Sequence, residues 1–145
     1  MNGILKLWTS ILINIGSPWA EAQSILSDTV DGFGRHRKIY DSLTTHITMY
    51  EDAKLTNKNI YTAYSDFKGA FGRMDHRILF LIMRQMGFHE TYIKTCGQLC
   101  NASSTCYMTP VGNTPQTRID KGTLQGDTLS PFLFTLFMEP LFRWL

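Results

Sequence analysis

Asp66 is the residue whose position asks for chemistry. It closes a short β-prone run, Asn59 to Ser65, at the point where the chain is set to turn. A carboxylate there suits holding a hard cation over a substrate. Mg²⁺ takes oxygen ligands and needs only one or two carboxylates when substrate phosphates complete its shell. The alternative is that Asp66 simply opens a turn, a common duty for Asp. An aromatic, Phe71, follows five residues later, and an apolar segment begins after Asp75. Two further stretches carry polar chemistry. Gly32-Phe33-Gly34-Arg35-His36-Arg37-Lys38 is the only basic cluster, and Gly-rich loops of this kind bring backbone N–H groups and guanidinium forks to phosphates. Read blandly, it is a solvated charge run before a helix. Gly122 to Phe134, GTLQGDTLSPFLF, joins a glycine-rich loop to an apolar helix.

Taken together these stretches resemble the reverse transcriptases of non-LTR (LINE-type) retrotransposons. Asp66-Phe67-Lys68-Gly69-Ala70-Phe71 is similar to the family's D-x-x-x-A-F block, motif A. Gln125-Gly126-Asp127-Thr128-Leu129-Ser130-Pro131 is similar to its Q-G-x-x-L-S-P block, motif B, and the two occur in the family's order. The likeness extends weakly upstream and covers most of the chain. It implies that Asp66 is the catalytic carboxylate bridging two metal ions, with the Phe67 backbone carbonyl as another ligand. It also implies that Phe71 is a steric gate, a ring set against the sugar's 2′ position so that deoxynucleotides are preferred. The competing role for Phe71 is a core aromatic after a turn. Gln125 would meet the nucleotide and, with Gly126, lie beneath the nascent base pair and template. Gly suits a loop that nucleic acid approaches closely, and Gln offers both a donor and an acceptor. Arg37 matches the second arginine of a G-F-R-x-x-R fingers block and would touch the nucleotide, with Arg35 and Lys38 near template and primer. Lys6-Leu7-Trp8-Thr9 would lie near template or nucleotide. The implied cofactor is Mg²⁺, or Mn²⁺. The implied partners are an RNA template, a DNA primer and deoxynucleotides.

Three departures from the family pattern stand out. Gly34 occupies the place of the first fingers arginine, and Gly72 stands where Asp is usual. The family's motif C, a Y-x-D-D hairpin carrying the other metal carboxylates, has no counterpart, and no two Asp are adjacent anywhere. The expectation is therefore a partial domain of fingers (about 1–58) and palm (59–145), truncated before motif C, which by itself does not extend a primer. A non-catalytic nucleic-acid-binding remnant is the competing reading. A small α+β domain with no nucleic-acid role is a third.

The elements that must position these residues are legible from periodicity. The pattern predicts a short helix from Ile4 to Leu12, broken by Gly16 and Pro18. An amphipathic helix follows over Ile39 to Lys54, with Ile39, Leu43, Ile47 and Tyr50 on one face. Asn59 to Ser65 reads as a strand. Asp75 caps a helix from His76 to Met86 that is apolar all round, hence deeply buried, and stops at Gly87. Glu90 to Leu99 is a helix with Tyr92, Ile93, Cys96, Leu99 and Cys100 inward. Thr105 to Thr109 and Thr114 to Ile119 form a hairpin around Val111-Gly112-Asn113. Ser130 caps a last helix with Pro131 at its first position, and Pro140 kinks or ends it. Asp127 reads as a turn or helix-start carboxylate. The fold class is α+β, helices on a small antiparallel sheet.

Composition sets the outer bounds. The chain has 145 residues, one domain's worth, with 43% apolar content and a net charge of +2. Such a mild charge permits nucleic-acid binding only through a local basic patch. Cys96, Cys100 and Cys106 are odd in number and form no C-x-x-C pair, which fits neither a zinc knuckle nor a disulfide framework. His76 and His89 lack ligand partners in the sequence. The apolar stretch Ile4 to Ile15 is too short to span a bilayer and carries Lys6 inside it, unlike a signal peptide. An intracellular protein is expected, in nucleus or cytoplasm, neither secreted nor in a membrane.

Overall fold

The computed structural model describes residues 3–27, 38–102, 104–119, 121–123 and 126–144. In chain order they form α1 (Gly3–Ala22), α2 (Ile39–Thr56), the single turn α3 (Ala70–Arg73), α4 (His76–Gln85) and α5 (Glu90–Ala102). The short strands β1 (Ser104–Thr105), β2 (Met108–Thr109), β3 (Gly112–Asn113) and β4 (Thr117–Arg118) follow, and then α6 (Leu129–Trp144). The chain is α+β, with an antiparallel hairpin as its sheet component. No described helix is long and apolar enough to cross a membrane.

The core forms where α1 and α4 meet α6 and α5 packs on α4. Leu12 and Ala20 of α1, Leu79 and Met83 of α4, and Ile93, Cys96 and Cys100 of α5 close around Leu129, Phe132, Leu133 and Leu136. The inward set expected for α5 is thus borne out, with Tyr92 and Leu99 half-buried beside it. Asp75 caps α4 as its sequence requires, accepting the Arg77 backbone N–H at 2.9 Å. At its other end the Gly87 and Phe88 N–H groups return to the Arg84 and Met83 carbonyls, at 3.0 Å each, and close the helix.

Tertiary packing overrides several local expectations. The first helix does not break at Gly16 or Pro18 but runs to Ala22. Gly16 is buried where the Tyr92 hydroxyl crosses the helix and donates to the Leu12 carbonyl at 2.9 Å. A Cβ at Gly16 would collide with that hydroxyl and lie 3.1 Å from Phe132. The glycine is there for close approach, not as a stop. Helix α4 is not buried all round: Leu79 and Met83 are covered, whereas Ile78 and Leu81 are about half exposed at 49% and 54%. Helix α2 extends over the expected span, yet Ile39, Leu43, Ile47 and Tyr50 on its apolar face are exposed, and Ala53 is its one buried residue.

Asn59 to Ser65 is not a strand. β-propensity gives an extended chain, but a strand needs a partner's hydrogen-bond ladder, and no described segment pairs with it. Its contacts are side-chain ones, the Tyr50 hydroxyl meeting Thr62 Oγ1 at 3.0 Å and the Tyr64 hydroxyl at 3.4 Å. The hairpin does form, but it reverses at Pro110-Val111 rather than at Val111-Gly112-Asn113. Met108 pairs with Asn113, Thr109 with Gly112, and further out Thr105 with Thr117. Proline's preset φ favours the second position of a turn, which moves the reversal toward it.

The last helix begins at Leu129, whose N–H bonds the Asp127 carboxylate at 3.3 Å, so Asp127 and not Ser130 opens it. Ser130 is buried inside the first turn. Pro140 neither ends nor stops the helix, which continues to Trp144. Glu139, with no exposed surface, accepts Arg143 Nε and the Ser27 N–H at 2.9 Å each. Arg143 in turn donates to the Ser24 and Ile25 carbonyls at 3.1 and 2.8 Å. These bonds hold the turn that the missing proline N–H would otherwise loosen.

Candidate functional site

Three backbone-centred hydrogen bonds bring the two motifs together. The Thr123 N–H donates to the Phe71 carbonyl at 3.0 Å, and the Gly122 N–H to the Met74 carbonyl at 2.8 Å. The Gly122 carbonyl accepts His76 Nε2 at 2.5 Å, so that nitrogen carries the ring proton. Gly122 sits at φ +78°, and a Cβ there would come within 2.6 Å of Gly72 Cα. Only glycine lets the loop press this closely on the turn.

From that junction the chain runs both ways into a cleft lined by Asp66, Phe67, Lys68, Ala70, Arg73 and Met74 on one side, and by Phe134, Phe137 and Met138 of α6 on the other. Asp66 is exposed on the extended segment before α3, Phe67 is 46% exposed, and Phe71 is half-buried. The Phe71 ring lies 4.9 Å from that of Phe134, centroid to centroid. A carboxylate, two cationic side chains and an aromatic wall thus share one opening. A hard cation and a phosphate-bearing aromatic ligand are what such a set attracts.

The expected residues divide accordingly. Asp66 and Phe67 line the cleft, and Phe71 stands beside it in the turn α3, its carbonyl bonded to Thr123. Gly126 is exposed at φ +85° just before the last helix. Lys38 is exposed at the start of α2. Arg35, Arg37 and Gln125 lie outside the described residues. Sequence reading missed His76, Lys68 and Arg73. Lys68 and Arg73 flank Gly69, Ala70, Phe71 and Gly72 and were legible as charges in and beside the motif. The bond from His76 to Gly122 spans 46 positions and has no local signal. Among the described residues no three His, Cys, Asp or Glu side chains gather to hold a metal ion.

Burial raises two thiols well above the ordinary range. Desolvation, with the Cys100 thiol alongside, pushes Cys96 up to about 12. Desolvation, with the Asp127 charge nearby, pushes Cys100 up to about 11. Tyr92 is raised chiefly by burial. None of the three reaches the cleft, and they serve the core.

Comparison with known proteins agrees with the geometry. A family model described as reverse transcriptase (RNA-dependent DNA polymerase) matches residues 2–145. No curated protein and no solved structure matches the chain. With the match running over nearly its whole length, the chain belongs to the reverse transcriptase family.

Proposed function

We propose that these residues are the fingers, about 1–58, and the first part of the palm, 59–145, of an RNA-directed DNA polymerase of the non-LTR retrotransposon type. The observation that carries this reading is the docking of the Gly122–Thr123 loop on the Phe71–Met74 turn. It sets the two stretches that resemble motifs A and B against each other, and Asp66 lies on the cleft beside that junction. The substrates are deoxynucleotides, an RNA template and a DNA primer. Lys38, with Arg35 and Arg37, faces phosphates. Gln125 and Gly126 underlie the base pair, and Phe71 is the sugar gate. Three free cysteines are in keeping with a reducing compartment, nucleus or cytoplasm.

Asp66 and the Phe67 carbonyl are hard oxygen donors, which suits a share in one Mg²⁺ or Mn²⁺ ion. They do not suffice for a pair. When bound, such ions activate the attacking primer oxygen and neutralise developing charge. The carboxylates of a Y-x-D-D block would complete the donor set, and we assign two-metal nucleotidyl transfer to a longer polypeptide containing both. Within these residues the work is positioning. Lys68 and Arg73 draw phosphate toward Asp66, and the aromatic wall excludes water from the sugar side.

Two experiments test this. Joined to the downstream palm and thumb of a related reverse transcriptase, the chain should extend a primer on an RNA template, and Asp66→Ala should abolish extension. The 145 residues alone should give none with either ion. Synthesis by the chain alone, or extension by the joined chain that survives Asp66→Ala, refutes the assignment of Asp66.

The single described carboxylate in the cleft also favours a second reading, a non-catalytic nucleic-acid-binding remnant. Its mark is weak, sequence-independent binding of primer–template by the isolated chain that falls as salt rises and falls again with Arg37→Ala. Salt-insensitive binding, or none at low salt, removes it.

A further inference from the structure

We infer that His76 is a positioning residue that sets sugar selectivity, by locking the Gly122–Thr123 segment onto the carbonyl of Phe71. The inference rests on the gate reading of Phe71 given above. His76 opens α4 directly behind its Asp75 cap, and its ring is buried, 7% exposed, against Phe80. From there Nε2–H reaches the Gly122 carbonyl at 2.5 Å.

The bond finishes a closed set. Met74 takes the Gly122 N–H, His76 supplies the proton to the Gly122 carbonyl, and Phe71 takes the Thr123 N–H. Both the N–H and the carbonyl of Gly122 are therefore held, by Met74 at the end of the turn that carries the gate and by His76 at the start of α4. Phe71 is fixed from two directions, through its carbonyl by Thr123 and through its ring by Phe134. Without His76 the Gly122 carbonyl would be left buried without this donor, and Gly122, at φ +78° and pressed on Gly72, would be free to back away. The loop would then release the Phe71 carbonyl, and the ring would lose one of its two supports. A gate acts by excluding a single hydroxyl, so displacement by a fraction of a van der Waals contact is enough to weaken it.

The test compares His76→Leu, which removes the donor, with His76→Gln, whose side-chain amide can present an N–H at a similar reach. In the joined, primer-extending chain the readout is the ratio of kcat/KM for a deoxynucleotide to that for the matching ribonucleotide. That ratio is independent of how much of the preparation is folded, so a merely structural role would not move it. His76→Leu should lower the ratio about tenfold, the scale of one lost buried hydrogen bond, and His76→Gln should retain it. In the isolated 145-residue chain, hydrogen exchange at the Gly122 and Thr123 amides should quicken with Leu and not with Gln, while amides within α5 stay protected. Gly122→Ala, which opens the same junction with His76 intact, should lower the ratio as Leu does and keeps the question answerable if the Leu variant does not fold. An unchanged ratio in His76→Leu or Gly122→Ala overturns the inference. Phe71→Ala run alongside separates the two claims: if it too leaves the ratio unchanged, the gate reading is what has failed.

Discussion

The Phe71 ring packs on that of Phe134 at 4.9 Å, the planes tilted by 44°. One residue belongs to the turn after Asp66 and the other to the last helix, so the contact ties that turn to the helix that walls the cleft. On the proposed gate reading, one ring has two duties, covering apolar surface and excluding the sugar hydroxyl.

Truncating it should expose both. In a primer-extending chain, Phe71→Ala is expected to raise ribonucleotide incorporation by about tenfold relative to deoxynucleotide. Phe134→Ala should produce a smaller change in the same direction by leaving the ring half supported. Competition assays with paired nucleotides measure this. An unaltered preference in Phe71→Ala would reduce the residue to packing alone.

Acid should loosen the start of α4. The Arg77 guanidinium, reinforced by the Arg77 backbone N–H, holds the Asp75 carboxyl down at about 2, below its ordinary 3.8. A depressed value means the charged form favours the fold. That contribution is whole above pH about 4 and is lost as pH falls through about 2. Circular dichroism should show helix loss in this window for the wild type. Asp75→Asn, which can still cap but cannot titrate, should show a flatter response there.

Glu139 is expected to be the costliest polar residue to remove. It is fully buried, binds Ser27 and Arg143, and has one oxygen, Oε2, with no hydrogen-bond partner. Glu139→Ala should destabilise by about 1–3 kcal/mol in denaturant titration, discounted from a fully buried pair because Arg143 is half exposed. Glu139→Gln keeps an acceptor for both donors and should cost less.

Thiol labelling offers a quick check on the packing. Cys106 is exposed, whereas Cys96 and Cys100 are buried with thiols raised to about 12 and about 11. The thiolate is the reactive form, so at neutral pH one cysteine should react rapidly with maleimide and two only on unfolding. Three fast reactions in the folded protein would contradict the α5 core.

The motifs were placed by resemblance, and short-range chemistry was enough to place the Asp75 cap, the Gly87 stop, the inward face of α5 and the antiparallel hairpin. Each depends on residues within a turn or two of one another, where backbone geometry and side-chain spacing leave few choices. What lay beyond it depended on partners far along the chain. Gly16 and Pro18 look like helix breakers until Tyr92 and Phe132 close on Gly16, and Pro140 until Arg143 braces its turn. Asn59 to Ser65 has the composition of a strand, but only another segment's backbone can make it one. The bond between His76 and Gly122 is the clearest case. Nothing near either residue announces it, because burial and hydrogen bonding at that site are decided by where α4 meets the motif B loop in space.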